Sequence, residues 1–171
     1  MEPLAQQKQL CLAYFGLDTL WIRADEARLT QVFLNLFDNS IKHSHPQQAI
    51  QVEVTRLEED TNTVTMSNLA ASLLDERSSI QIDIIDSGTG FSETDMPHVF
   101  ERLYRGDASR HKEQATSEHP ERSSVTKGSG LGLAIVQQII QAHGGSIKAT
   151  NHPKTGGAWL QIKLPQGKAS L

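Results

Sequence analysis

The sequence predicts an α+β fold, a two-layer α/β sandwich in which helices pack on one face of a mixed, mainly antiparallel sheet. Two segments, at about 25–43 and 130–143, repeat apolar residues at helical spacing. Several short segments alternate apolar and polar residues instead, as half-buried strands do. The 171 residues suit one domain. This order of elements favours helices collected on one side of a sheet.

The first predicted helix begins after Asp25, a plausible N-cap, and ends at about His43. At 100° per residue, the side chains of Asn35, Asn39 and Lys42 lie within about 60° of one another, beside the apolar stripe. Taken alone, this polar face is more typical of a solvated helix flank than of a binding site. The stripe itself consists of Leu29, Val32, Phe33, Leu36 and Ser40.

Four strands are predicted from alternation, around residues 50–54, 80–84, 147–149 and 158–164. We also expect a short strand near Leu17–Ile22 and a short helix after Ser92, whose spacing to Asp95 resembles a capping box. The second long helix runs from about Gly130 to His143, before a Gly-Gly pair typical of a helix C-terminus.

The domain is expected to span residues 21–166, between a lead-in segment at 1–20 and a tail at 167–171. Residues 58–79 are polar and are interpreted as an extended connection between strands. Residues 106–127 contain almost no apolar side chains, so we expect 91–127 to form a mobile lid.

Composition excludes several classes of protein. The net charge is −4 and there is no basic stripe, which argues against nucleic-acid binding. There is neither a long apolar run nor a signal-peptide pattern at the N-terminus. The lone cysteine, Cys11, rules out a disulfide within one chain and fits a reducing, cytoplasmic compartment.

Two glycine-rich stretches carry the chemistry, Asp86-Ser-Gly-Thr-Gly90 and Gly128-Ser-Gly-Leu-Gly132. The second leads into the predicted helix at 130–143. The first amides of a helix are unpaired and lie at the positive end of its dipole, so phosphate oxygens bind well there. One glycine loop is weak evidence. Two such loops downstream of the polar helix face at Asn35 and Asn39 are strong evidence for a nucleotide site.

These stretches resemble the motifs of the ATP-binding catalytic domain of sensor histidine kinases, in the GHKL superfamily. Residues 31–42 resemble the N box, 86–90 the G1 box, 100–105 the F box and 128–133 the G2 box. The resemblance covers roughly residues 20–165, with the motifs in the family's order. One departure is Leu103, where a second aromatic residue is common; leucine can still pack there, so this departure carries little weight.

The resemblance implies ATP and Mg²⁺ as cofactors. Asn39 is the expected metal ligand, and Asp86 is expected to accept a hydrogen bond from adenine, although an Asp before Ser-Gly also suits a simple turn. Expected catalytic residues are Asn35, Lys42 and Arg105, with a surface role left open for Arg105 and Lys127 and a helix-capping role for His43. The complete nucleotide-binding set is Asn35, Asn39, Lys42, His43, Asp86, Gly88, Gly90, Lys127, Gly128, Ser129, Gly130, Leu131, Gly132 and Leu133.

Asn35 bears on the reaction class. ATP-hydrolysing relatives usually carry Glu at the matching position, and an amide cannot take a proton from water. The chain is therefore expected to transfer phosphate to a histidine rather than hydrolyse ATP. A GHKL-type ATPase and a nucleotide-binding module without phosphotransfer are the alternatives.

The partners follow from what the sequence lacks. No phosphoacceptor box surrounds any of the seven histidines, so the acceptor is expected on a separate dimerisation domain, with a response regulator downstream. The isolated chain is expected to be a monomer in the cytoplasm, or the cytoplasmic part of a membrane-anchored sensor kinase.

Overall fold

A computed structural model describes residues 2–57, 78–106 and 130–166. Within them three α-helices and five strands form two layers, which confirms the predicted fold class. The helices are α1 (Glu2–Gln7), α2 (Glu26–His43) and α3 (Gly132–Ala142). The strands are β1 (Cys11–Gly16), β2 (Ala49–Leu57), β3 (Ser79–Ile85), β4 (Ser146–Asn151) and β5 (Ala158–Pro165).

The five strands form one mixed sheet in the order β1-β2-β3-β5-β4. β1 pairs with β2 in parallel, and every other pair is antiparallel. Ile84 of β3 lies opposite Val52 of β2 and Leu160 of β5, so the alternating apolar residues of the central strands fall on one face. That face carries the core.

The core lies between this sheet face and the two long helices. The apolar faces of α2 and α3 and alternate residues of the central strands contribute to one buried cluster. Its fully buried members with the largest side chains are Leu36, Ile80, Ile84, Ile140, Ile162, Val32 and Val136. The amphipathic pattern therefore decides which face of each helix meets the sheet, leaving the polar face of α2 beside it.

The start of α2 and the end of α3 are capped as the sequence predicts. The Asp25 carboxylate accepts a hydrogen bond from the Arg28 N–H at 3.0 Å, which caps α2. Gly144, with φ of +72°, follows α3 in the left-handed conformation that glycine adopts without strain. No helix among the described ranges is both long and apolar enough to cross a bilayer.

The N-terminal strand lies elsewhere than expected. The strand predicted near Leu17–Ile22 is wrong: the chain pairs as β1 at Cys11–Gly16, with Cys11 opposite Ala49. β1 is an edge strand, and its uniformly apolar sequence gives no alternation from which to place it. The side chains of Leu12, Tyr14 and Phe15 are more than half exposed.

Two other predictions fall largely or partly on undescribed residues. The connection at 58–79 lies outside the described ranges except for its last two residues, and of the lid only 91–106 is described. In that part the short helix expected after Ser92 is a single 3₁₀ turn at Met96–His98. The Ser92 hydroxyl nevertheless accepts the Asp95 N–H at 3.0 Å, as its spacing predicts.

Candidate functional site

The polar face of α2 meets the start of α3. A Cβ built on Gly132 would lie 3.8 Å from Asn39 Nδ2 and 3.9 Å from Asn35 Cβ, so the N-terminus of α3 abuts both amides. Asn35 Nδ2 is buried and has no hydrogen-bond partner among the described residues. A buried N–H without a partner is costly, so this donor is well suited to a phosphate oxygen.

The two basic residues at the end of α2 have different surroundings from those of Asn35 and Asn39. Lys42 Nζ donates to Asp38 Oδ2 at 2.5 Å, one turn earlier, so its ammonium is engaged within the helix. The His43 side chain is exposed at the C-terminus of α2. At this end of the helix the Ser44 N–H donates to the Ser40 carbonyl.

Asp86 lies directly after β3 and is buried, at 4% exposure. Its Oδ1 accepts the Gly88 N–H at 3.0 Å and the Ala158 N–H at 2.8 Å. Burial raises the pKa of this carboxyl, against the lowering effect of those two hydrogen bonds and of the nearby His43 and His45. Because both bonds fall on Oδ1, Oδ2 is the oxygen able to accept from a ligand.

The glycines after Asp86 allow close backbone packing. A Cβ on Gly88 would lie 2.5 Å from the His43 carbonyl oxygen, so only glycine lets this loop approach the end of α2. Gly90 has φ of +68°, and a Cβ there would overlap the Gly156 carbonyl oxygen. The loop is thus held between α2 on one side and the β4–β5 turn on the other.

That β4–β5 turn, residues 152–157, supports the site in a way that sequence reasoning missed. A Cβ on Gly157 would overlap the Asp86 carbonyl oxygen, and Thr155 Oγ1 donates to the same oxygen at 3.4 Å. The Asp86 N–H donates to the Ala158 carbonyl at 2.9 Å. In the sequence, the Gly156-Gly157 pair indicates a turn but not its contact with Asp86.

Asn151, at the end of β4, also supports the site, and no sequence motif indicates it. Its Oδ1 accepts the Phe91 N–H at 2.7 Å, and its Nδ2 donates to the Phe91 carbonyl at 2.8 Å. One amide therefore fixes both backbone groups of Phe91, where the predicted lid begins.

The F box meets the G2 box through the backbone. The Leu103 N–H donates to the Gly130 carbonyl at 2.9 Å, with Gly130 at φ of +68° and Leu103 at φ of +64°. The Leu103 side chain is 70% exposed, so it does not pack as a buried aromatic residue would. Tyr104 is anchored instead, donating from its hydroxyl to Asp95 Oδ1 at 2.6 Å.

The remaining predicted residues divide into two groups. Arg105, Leu131 and Leu133 are partly buried near this junction, and Leu133 packs against the core cluster. Lys127, Gly128 and Ser129 lie outside the described residues. Within the described ranges no three His, Cys, Asp or Glu side chains converge on a metal site. The structure therefore brings together Asn35, Asn39, His43, Asp86, Gly88, Gly90, Gly130 and Gly132 at one end of the sandwich.

Comparison with known proteins fits this arrangement. The family described as histidine kinase-, DNA gyrase B- and HSP90-like ATPase matches residues 24–168. The chain belongs to this family. It is 42% identical over 166 residues to the sensor protein SphS of Synechococcus elongatus, covering 97% of this chain and 34% of SphS. It is 33% identical over 144 residues to the histidine-protein kinase AfsQ2 of Streptomyces coelicolor, covering 84% of this chain and 20% of AfsQ2.

Solved structures show the same fold. The mycobacterial sensor histidine kinase MprB superposes with a TM-score of 0.66 at 22% identity, over 98% of this chain and 90% of that one. Full-length ShkA in complex with AMPPNP gives a TM-score of 0.64 at 21% identity, over 100% of this chain and 28% of that one. This chain is an ATP-binding catalytic domain of the sensor histidine kinase class, and it spans about a third of the length of SphS.

Proposed function

We propose that this chain binds ATP between α2, the loop after β3 and the start of α3, and passes the γ-phosphate to a histidine on a separate phosphoacceptor domain. The observation that carries the proposal is the joint placement of a buried carboxylate, Asp86, and a polar helix face, Asn35 and Asn39, around glycines that keep the backbone close. The proposed catalytic domain occupies residues 21–166, with residues 91–127 as its lid.

Adenine recognition is assigned to Asp86. Its Oδ1 is held by two backbone N–H groups, which orient the carboxylate and direct Oδ2 toward a ligand. The exocyclic amino group of adenine is a suitable donor, and a charge-assisted hydrogen bond in a buried site discriminates against bases that lack this donor. Gly88 and Gly90 would keep the loop close to the base.

The triphosphate end is assigned to α2 and the G2 box. The amide oxygen of Asn39 is a hard oxygen ligand of the kind that Mg²⁺ prefers, and the buried Nδ2 of Asn35 fits a phosphate oxygen or a metal-bound water. Mg²⁺ would neutralise phosphate charge there. Backbone N–H groups from Gly128 to Leu133 would face the phosphates at the N-terminus of α3.

Several basic groups are proposed to act when ATP is present. Lys42 would exchange its ion pair with Asp38, a partly exposed pair of small net worth, for a phosphate oxygen. Arg105 and Lys127 would add further positive charge beside the phosphates, and the His43 imidazole would face them. These side chains would stabilise charge and orient the γ-phosphate without forming a covalent intermediate.

The reaction is proposed to be phosphotransfer because the amide of Asn35 cannot act as a base for water. Asn35 stands where hydrolysing relatives usually carry Glu, and an amide accepts no proton near neutral pH. The nucleophile would be the imidazole of a dimerisation and phosphoacceptor domain of the same or another kinase. A response regulator would receive the phosphate next, and the domain would work in the cytoplasm.

The decisive experiment follows γ-labelled ATP and Mg²⁺ through two fates in one reaction. With a histidine-bearing helical hairpin taken from a sensor kinase, we expect label on the hairpin and only trace release of inorganic phosphate. Steady-state hydrolysis well above background, with no label on the hairpin, would instead support an ATPase. Tight binding with neither product would indicate a binding module.

A further inference from the structure

The ammonium of Lys8, in the segment between α1 and β1, reaches the C-terminus of α2. Lys8 Nζ donates to the carbonyl oxygens of Ile41 and Lys42 at 2.7 Å each, and to that of Ser44 at 3.0 Å. An ammonium has three N–H donors, and here three converging carbonyls accept them. Lys8 lies 16 residues before the start of the family match at residue 24 (24 − 8), so no family motif includes it.

The end of α2 needs such a partner. The last carbonyls of a helix have no intrahelical N–H to accept from, and the negative end of the dipole favours a cation. Pro46 has no N–H, so it cannot supply the i+4 donor for the Lys42 carbonyl. Ser44 is already extended, with ψ of 146°, so the helix cannot continue.

Backbone hydrogen bonds hold the chain around Lys8 against the segment that follows α2. The Gln47 N–H donates to the Lys8 carbonyl at 2.8 Å, and the Cys11 N–H donates to the Gln48 carbonyl at 3.0 Å. Leu10 packs against the core cluster. The ammonium is therefore delivered from an ordered backbone, which reduces the entropy lost in holding it at the three carbonyls.

The carbonyls held by Lys8 flank the one that the G1 loop touches. The His43 carbonyl lies between those of Lys42 and Ser44, and it packs so closely on Gly88 that a Cβ there would come within 2.5 Å. The N–H of Gly88 in turn donates to Asp86 Oδ1 at 3.0 Å. Two close contacts therefore join the end of α2 to the carboxylate assigned to adenine.

We propose that Lys8 is a positioning residue of the nucleotide site: it fixes the end of α2, and thereby sets where Asn39 and the loop at Gly88 stand relative to each other. The inference rests on the proposed roles of Asp86 and Asn39. It extends the site to a segment outside the family match, and it makes the N-terminal segment part of the ATP-binding unit.

The test compares Lys8→Met with Lys8→Arg, using Lys148→Met on β4 as the matched control because Lys148 is exposed. We expect Lys8→Met to weaken Mg-ADP binding about tenfold, measured by calorimetry, and to shift the amide resonances of Gly88 and of the Asn39 side chain. Lys8→Arg retains a cationic donor at the carbonyls, so it should restore most of the affinity. Lys148→Met should change neither measurement.

Two results would overturn the inference. One is a folded Lys8→Met protein with wild-type ADP affinity. The other is a lower melting temperature with unmoved Gly88 and Asn39 resonances, since that would make Lys8 a stabilising residue only. If Lys8→Met does not fold, Lys8→Gln decides in its place, with weaker binding and shifted resonances supporting the role and wild-type values excluding it.

Asp86→Asn, measured in parallel, separates this inference from the proposed function. If Asp86→Asn leaves ADP binding unchanged, the assigned site is wrong and Lys8 has no site to position. If Asp86→Asn weakens binding while Lys8→Met does not, the site stands and only the role of Lys8 fails.

Discussion

At the scale of single residues, Asp86 has the most sharply defined surroundings in the site. It is buried, accepts two backbone N–H bonds on one oxygen, and has a pKa raised by burial. We predict that Asp86→Asn weakens ADP and ATP equally, because both carry adenine. Loss of a charge-assisted hydrogen bond corresponds to about 1.5–3 kcal/mol, measurable by calorimetry. Unchanged ADP affinity would exclude the adenine role.

The raised pKa of Asp86 gives two pH dependences of opposite sign. Because the folded pKa lies above that of the unfolded chain, the folded state binds the proton more tightly. This stabilising contribution is present at low pH and is lost as pH rises through the raised pKa. Adenine needs the ionised carboxylate, so ADP affinity should rise over the same pH range.

Melting temperatures and calorimetric titrations, collected over one mildly acidic pH series, check the pH dependence of stability and that of ADP affinity. Asp86→Asn should remove both of them, since an amide does not titrate. An ADP affinity that increases toward acid in the wild-type protein would contradict the assignment of an ionised acceptor.

Asn39 makes a separate residue-scale prediction through the metal. If its amide oxygen binds Mg²⁺, Asn39→Ala should weaken ATP binding in the presence of Mg²⁺ more than in its absence. Thr30→Ala, an exposed position on the same helix, is the control and should alter neither titration. Equal losses with and without Mg²⁺ would indicate that Asn39 only holds α2 against α3.

At the scale of elements, the turn between β4 and β5 can be tested with two neighbouring glycines. Gly157→Ala places a methyl group onto the Asp86 carbonyl, so it should displace the loop and weaken ADP binding about tenfold or more. Gly156→Ala meets nothing within 4 Å and should only destabilise the protein by about 1–2 kcal/mol, the cost of φ at +72°.

Calorimetry and thermal melts of both variants separate the two effects. If the two variants lose affinity to the same degree, the turn acts through general stability rather than through Asp86.

Elements with strong periodicity were predictable, and elements that depend on pairing were not. The stripe from Leu29 to Ser40 and the cap at Asp25 placed α2 to the residue at its end, His43. β1 was misplaced because an edge strand exposed on both faces shows no alternation, and its parallel partner lies 38 residues away at Ala49 (49 − 11).

The same limit applies to the site. Motif spacing predicted one site for Asn35, Asn39 and Asp86, and the elements that carry them, α2 and the loop after β3, are in contact at Gly88. Asn151 and Gly157 reach the loop after β3 only because antiparallel pairing sets Ile85 of β3 opposite Trp159 of β5, next to the turn. This register cannot be predicted from the alternation pattern of a single sequence, so the roles of Asn151 and Gly157 could not be predicted either.

At the scale of the whole molecule, the site is assembled from segments distant in sequence that meet at one end of the sandwich. The C-terminus of α2, the C-terminus of β3 and the N-terminus of α3 converge there, with the β4–β5 turn behind them. A carbonyl end and an amide end of two helices therefore border the candidate site, and only the amide end favours phosphate. The negative end of the α2 dipole is offset by the ammonium of Lys8, which donates to the Ile41 and Lys42 carbonyls.

The described histidines also bear on what the whole chain can do. His143 uses both ring nitrogens, accepting the Asp25 N–H at Nε2 and donating from Nδ1 to the Ile139 carbonyl. His98 pairs with Glu101 at 2.7 Å, and His152 lies 3.3 Å from Thr155 Oγ1. These three imidazoles are engaged in structural contacts. His43 is the one whose backbone lies directly against the G1 loop.

We therefore predict that the purified chain binds ATP as a monomer and does not label itself. An acceptor imidazole must sit about 3 Å from the γ-phosphate, in line with the leaving oxygen, and none of the seven histidines lies in a phosphoacceptor sequence. Sedimentation should show one copy despite the exposed apolar side chains of β1. With γ-labelled ATP, acid-labile label should appear only on an added histidine-bearing hairpin. Stoichiometric label on the chain alone would reveal an internal acceptor, and its loss in His43→Gln would locate that acceptor beside Gly88.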